Sequence, residues 1–66
     1  MGDQDGAIRE AQIAVRLVPN YYAAHLTLAK SLLNRGRRAE AETSLRKAAE
    51  SSDSQVRRLA LELLNR

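Results

Sequence analysis

The chain has 66 residues, 44% hydrophobic and 29% charged, with a formal net charge of +3. A chain this short forms one small domain that buries only about 60% of the surface exposed on unfolding, so its elements must pack regularly. The absence of cysteine excludes a disulfide framework, a thiolate metal site and a cysteine nucleophile, and no apolar run approaches the roughly 18 residues that suggest a membrane span.

Four helical segments follow one another, with no strand pattern between them. In the first, about residues 4 to 18, the apolar positions Ala7, Ile8, Ala11, Ala14, Val15 and Val18 recur at the helical period. Pro19 ends it, since proline lacks the amide donor and disfavours helix at the residue before it. Asn20 is then expected to cap the second helix, about residues 21 to 35. In this helix Ala24, Leu26, Leu28, Ala29, Leu32 and Leu33 cover more than half the circumference, as in a helix held between neighbours. Gly36 stops it by taking the left-handed conformation at little cost. The third helix, about residues 37 to 51, carries a stripe of Ala41, Leu45, Ala48 and Ala49. Ser51, Ser52, Asp53 and Ser54 form a turn with built-in capping chemistry. The fourth helix then runs to about residue 65, with Val56, Leu59, Ala60, Leu63 and Leu64 on one face. The short connections require neighbouring helices to run antiparallel.

The candidate chemistry is sparse. His25 is the single histidine and has no partners at metal-ligand spacing, while Thr27 falls on another side of its helix. It reads as a packing or surface residue. Glu40 and Glu42 lie on different helix faces, and Glu42 pairs with Arg46 at i, i+4, worth about 0.2–0.5 kcal/mol. Gly36 is isolated and no G-K-[ST] follows it, so there is no phosphate loop. No catalytic, cofactor-binding or metal-ligating constellation emerges, and the pattern points away from an enzyme. The 11 basic residues include a dense stretch at Arg35, Arg37 and Arg38. This leaves a small basic nucleic-acid-binding domain as the alternative, disfavoured because Tyr21 and Tyr22 are the only aromatic residues and provide no stacking platform.

The strongest signal is a period. Gly2 and Gly36, Ala7 and Ala41, and Ala14 and Ala48 are identical pairs separated by one and the same interval. That interval is the tetratricopeptide spacing of roughly 34 residues. Residues 20–53 carry His25, Leu28-Ala29, Leu32, Gly36 at a turn, Ala41, Leu45 and Asp53 in the slots of that repeat. Residues 2–19 carry Gly2-Asp3, Ala7, Ala11, Ala14 and Pro19 in the slots of its second half. The chain therefore resembles the tetratricopeptide (TPR) family over nearly its whole length. It departs from the pattern at His25, where the family has Trp, at two Leu in aromatic slots, and at Asp53 in place of a second Pro. The resemblance implies an all-α, antiparallel helical-repeat domain over residues 1–66: the second helix of a truncated repeat (2–19), one complete repeat (20–53) and a C-terminal capping helix (54–66). It also implies the C-terminal piece of a longer array. The cap assignment follows from Glu62 and Leu63, because Leu63 stands where a small residue would let a paired helix lie close.

By the same resemblance the function is that of a protein-interaction scaffold. The first helix of each repeat lines a concave groove that holds a partner peptide or helix. The matching positions are Ala23, Leu26, Lys30, Leu33 and Asn34, with a partner carboxylate expected near Lys30. The two-carboxylate clamp of the family's co-chaperones does not map, since Leu26 fills the slot of its first Lys and Lys30 that of its first Asn. A weak homodimer through the first helix is also expected, with Ile8 as its main apolar contact.

Overall fold

A computed structural model describes residues 3–66; Gly2, and with it one of the three repeated pairs, lies outside the described residues. Those residues form four helices and no strand: α1 (Asp3–Leu17), α2 (Tyr22–Asn34), α3 (Arg38–Ala48) and α4 (Ser54–Leu64). The all-α expectation holds, with boundaries within a few residues of those read from the periodicity. The packing is that of a row. α2 touches α1, α3 and α4, α3 touches α2 and α4, and α1 touches α2 alone.

The connections follow from local chemistry. Between α1 and α2, the amide of Tyr21 donates to the Val18 carbonyl at 2.9 Å, closing a four-residue turn with Pro19 in its second position, where a fixed φ suits the turn. Asn20 is used as the third turn residue and does not cap α2, contrary to the sequence expectation. The N-cap is Tyr21, with no side-chain capping bond. His25 supplies the tie instead, its Nε2 donating to the Pro19 carbonyl at 3.0 Å, so its role is to hold α2 against the preceding turn.

Gly36 ends α2 with φ +75°. The amide of Gly36 donates to the Leu33 carbonyl at 3.0 Å, and that of Arg37 to the Leu32 carbonyl at 2.9 Å. These paired bonds form a Schellman motif, which satisfies carbonyls that a helix end would otherwise orphan. Before α4, Asp53 Oδ1 accepts from the amides of Gln55 at 2.9 Å and Val56 at 3.4 Å, and Ser51 Oγ accepts from the Asp53 amide at 3.0 Å. Arg38, at the start of α3, donates from one guanidinium nitrogen toward the carbonyls of Leu63, Leu64 and Arg66 at 3.1–3.3 Å. A cation at the negative end of a helix is favourable, and the contact fixes the end of α4 beside the beginning of α3, as antiparallel packing requires.

The core is aliphatic: Ile8, Ala11, Leu26, Leu28, Ala29, Leu32, Ala41, Leu45, Ala48 and Ala60 form one buried cluster. Ala29, Ala41, Leu45, Ala48 and Ala60 are fully enclosed. Four of these five are alanines, so the helices meet almost backbone to backbone at these points. Ile8 is 5% exposed and belongs to this core, so it cannot be the contact through which α1 associates with another copy. Its helical phase aims it at α2. The large apolar side chains that α1 does expose lie elsewhere, at Ile13 and Leu17, with Val18 exposed just past its end.

Candidate functional site

Since α2 has neighbours on three sides, little of its circumference remains open. Its exposed residues include Ala23, Thr27, Lys30 and Asn34, spaced i, i+4, i+7 and i+11. At 3.6 residues per turn they fall within roughly 60° of one another and make one continuous stripe. Of the five positions expected from sequence, Ala23, Lys30 and Asn34 lie on this stripe. Leu33 is half-buried against the core, and Leu26 is 7% exposed and part of it. Leu26 and Leu33 lie about 60–80° round the helix from Ala23, on the side that the neighbouring helices cover. They pack the fold and leave the open stripe to the other three.

Thr27, which the sequence reading sets aside, stands in the middle of the open stripe. The i, i+4, i+7, i+11 spacing of Ala23, Thr27, Lys30 and Asn34 is the signal that could have found it.

The stripe borders a depression between α1 and α2. Ala7, Glu10, Ala11 and Ala14 from α1, Ala23, Ala24 and Thr27 from α2, and Tyr21 from the connecting turn line an open groove of about 290 Å³. Its floor is alanine because α1 approaches α2 closely. Glu10 and Thr27, both exposed, give it polar edges. Lys30 and Asn34 continue the stripe beyond the groove, the first offering a cation and the second both a donor and an acceptor.

The basic stretch is engaged within the molecule. Arg37 donates to both carboxylate oxygens of Glu40 at 2.7 and 2.8 Å, and Arg38 pairs with Glu42 at 3.4 Å while holding the end of α4. Arg46 lies 3.9 Å from the same Glu42, and Lys47 pairs with Glu50 at 3.4 Å. Lys47 also lies 5.9 Å from the ring centroid of Tyr22, a cation–π distance that ties α3 to α2. Hydrogen bonding from Arg37 lowers the pKa of Glu40. This interleaving of opposite charges gives α3 a mixed surface.

Among the described residues, no group of three or more His, Cys, Asp or Glu side chains could hold a metal ion, and no helix is long and apolar enough to cross a membrane. No protein-family model matches the chain, and no curated protein or solved structure compared with it matches either.

Proposed function

We propose that this chain is a tetratricopeptide-like protein-interaction module that binds a partner peptide or helix on the open face of α2. The observation that carries the reading is that α2, packed against all three other helices, keeps one unbroken stripe of Ala23, Thr27, Lys30 and Asn34 open beside a groove. A helix so enclosed is rigid, and its open stripe presents side chains in fixed register, which lowers the ordering cost of binding.

The repeat reading has its own support. Displaced by one period, α1 overlaps α3 and α2 overlaps α4, so the sequence period coincides with the spacing of like elements. The contacts run mainly between neighbours, α1 touching neither α3 nor α4, as in a quasi-one-dimensional stack. On this reading α1 is the second helix of one repeat, α2 and α3 form the next, and α4 closes the row. The exposed face of α4 suits a cap: Gln55, Arg57, Arg58 and Glu62 are polar, with Leu61 the apolar exception.

A random peptide library displayed on phage and selected against the chain tests the proposal. Lys30→Glu should weaken the enriched peptides tenfold or more, because they should carry a carboxylate for Lys30. Enrichment indifferent to Lys30→Glu would overturn the reading. It would pass to the nucleic-acid alternative if duplex DNA also bound with an affinity falling steeply as salt rises.

A further inference from the structure

The three connections between helices are not stopped alike. Pro19 stands in the first and Gly36 in the second, whereas the third, residues 49–53, is Ala-Glu-Ser-Ser-Asp and holds neither. One period before Asp53 the residue is Pro19. The third connection also begins as helix: Ala49 has φ −68° and ψ −11°, and its amide donates to the Leu45 carbonyl at 2.9 Å. The chain bends further on, where Asp53 is extended with ψ 114°. A few polar contacts hold the bend. Asp53 Oδ1 accepts from the amides of Gln55 and Val56, Ser51 Oγ accepts from the Asp53 amide, and Arg57 donates to the Ser51 carbonyl at 3.2 Å.

The apolar positions on either side of this bend are in phase. On one continuous helix over residues 38–64, Ala41, Leu45, Ala48, Val56, Leu59 and Leu63 fall within about 80° of one another. Ser52 alone interrupts the stripe. The carbonyls left open at the end of α3 and the amides left open at the start of α4 pair with each other in the straight form. α3 and α4 are therefore two halves of one amphipathic helix, folded back at residues 51–53.

We infer that residues 49–53 are a hinge on which α4 exchanges between two copies of this chain. In the exchanged pair α3 and α4 run on as one helix, and each α4 lies on the α2 and α3 of the other copy about a two-fold axis. The contacts of α4 are remade across the pair: Ala60 is enclosed in the other copy's core, and Arg38 of one copy holds the Leu63 and Leu64 carbonyls of the other. The turn itself is what changes, and a short connection invites such exchange. Capping bonds lost at the hinge are set against helical bonds gained there, so the hinge residues control the ratio of the two forms. The inference is independent of peptide binding on α2.

The test uses the Leu17→Glu chain, which lacks the most exposed large apolar side chain of α1. Held at millimolar concentration and then diluted, it should give a dimer that outlasts dilution in size-exclusion chromatography, because α4 must leave its seat before the copies part. Asp53→Ala removes the capping carboxylate and supplies a helix former. Each pair opens two turns, so the dimer-to-monomer ratio should rise at least tenfold. Ser52→Ala, at an exposed position in the gap of the stripe, should raise it as well. Ser54→Pro acts in the opposite sense. Position 54 begins α4, where proline is well accommodated, and Asp53 already has the extended ψ that a following proline favours. In the continuous helix the same proline is interior and breaks it. This variant should keep the parent's circular dichroism and form no dimer. Dimers mixed from 13C-labelled and unlabelled Asp53→Ala chains should show nuclear Overhauser effects from α3 of one copy to α4 of the other. No dimer in either Asp53→Ala or Ser52→Ala, a dimer that Ser54→Pro leaves intact, or α3–α4 effects confined to single copies would each overturn the exchange.

Discussion

Ala41 and Ala7 occupy the same place in the sequence period, yet replacing each with leucine should have different consequences. Ala41 is fully enclosed, on a helix flanked by both α2 and α4. An isobutyl group there has no space, and the helices must separate or the side chain must leave its preferred rotamer, at a cost of about 1–3 kcal/mol. Ala7 lines the open groove and is only half-buried. The same substitution there lays apolar surface over an alanine floor, and the net change should stay within about 0.5 kcal/mol of zero. Both positions are helical, so the small difference in helix propensity between Ala and Leu cancels in the comparison.

A domain of this size is stable by roughly 3–10 kcal/mol, so the loss at Ala41 is a large share of the total. Urea unfolding followed by circular dichroism measures it. With a slope near 1 kcal/mol/M for a small chain, Ala41→Leu should lower the midpoint by about 1–3 M, and Ala7→Leu should move it by less than about 0.5 M. Equal shifts for the two variants would show that the two positions are equally enclosed. An unchanged midpoint for Ala41→Leu would refute the packing of α3 itself.

Three further outcomes are expected. Gly36 has φ +75°, and nothing lies within 4 Å of the place a Cβ would take, so Gly36→Ala should cost about 1–2 kcal/mol from the left-handed backbone alone, read in the same urea assay; no loss would mean that the Schellman turn is not maintained in solution. Arg37 holds Glu40 below its ordinary 4.5, so that pair's contribution is complete above about that pH and is lost as pH falls through the lower folded value; carbon-13 titration should show Arg37→Gln raising the Glu40 midpoint, and an unmoved midpoint would exclude the ion pair. Ile13 and Leu17, at i, i+4 on α1, are 49% and 76% exposed, and exposed apolar surface favours association; sedimentation should show weak dimers at millimolar concentration that Leu17→Glu abolishes, whereas a parent chain monomeric at that concentration would leave these two residues without a partner in a second copy.

The helices and their stops are legible in the sequence because their causes are local. Pro19, Gly36 and Asp53 each act within a few residues of chain, through a missing donor, a left-handed φ and a capping carboxylate respectively. Asn20 misleads although it too is local, because two local rules compete for it. The Pro19 turn closes through the Tyr21 amide and uses Asn20 as its third residue, so a residue suited to capping is placed one position too early to cap. The open stripe on α2 is less legible. Helical periodicity gives the angular relation of Leu26 to Lys30, but not which side of the helix its neighbours cover. That depends on where α1, α3 and α4 sit around α2, and it removes Leu26 from the surface while adding Thr27.

Ile8 makes the same point about α1. From sequence it is a large apolar residue on a helix with one packing partner, and exposure is the natural expectation. In the fold it is 5% exposed, and Ile13 and Leu17 face outward. Helical phase specifies which side of a helix is apolar, and the exposure of a given position reports whether a neighbour covers it. Ala14 and Ala48 share a residue type and a place in the period, and they differ because α3 lies beneath α2 while the matching side of α1 lies open.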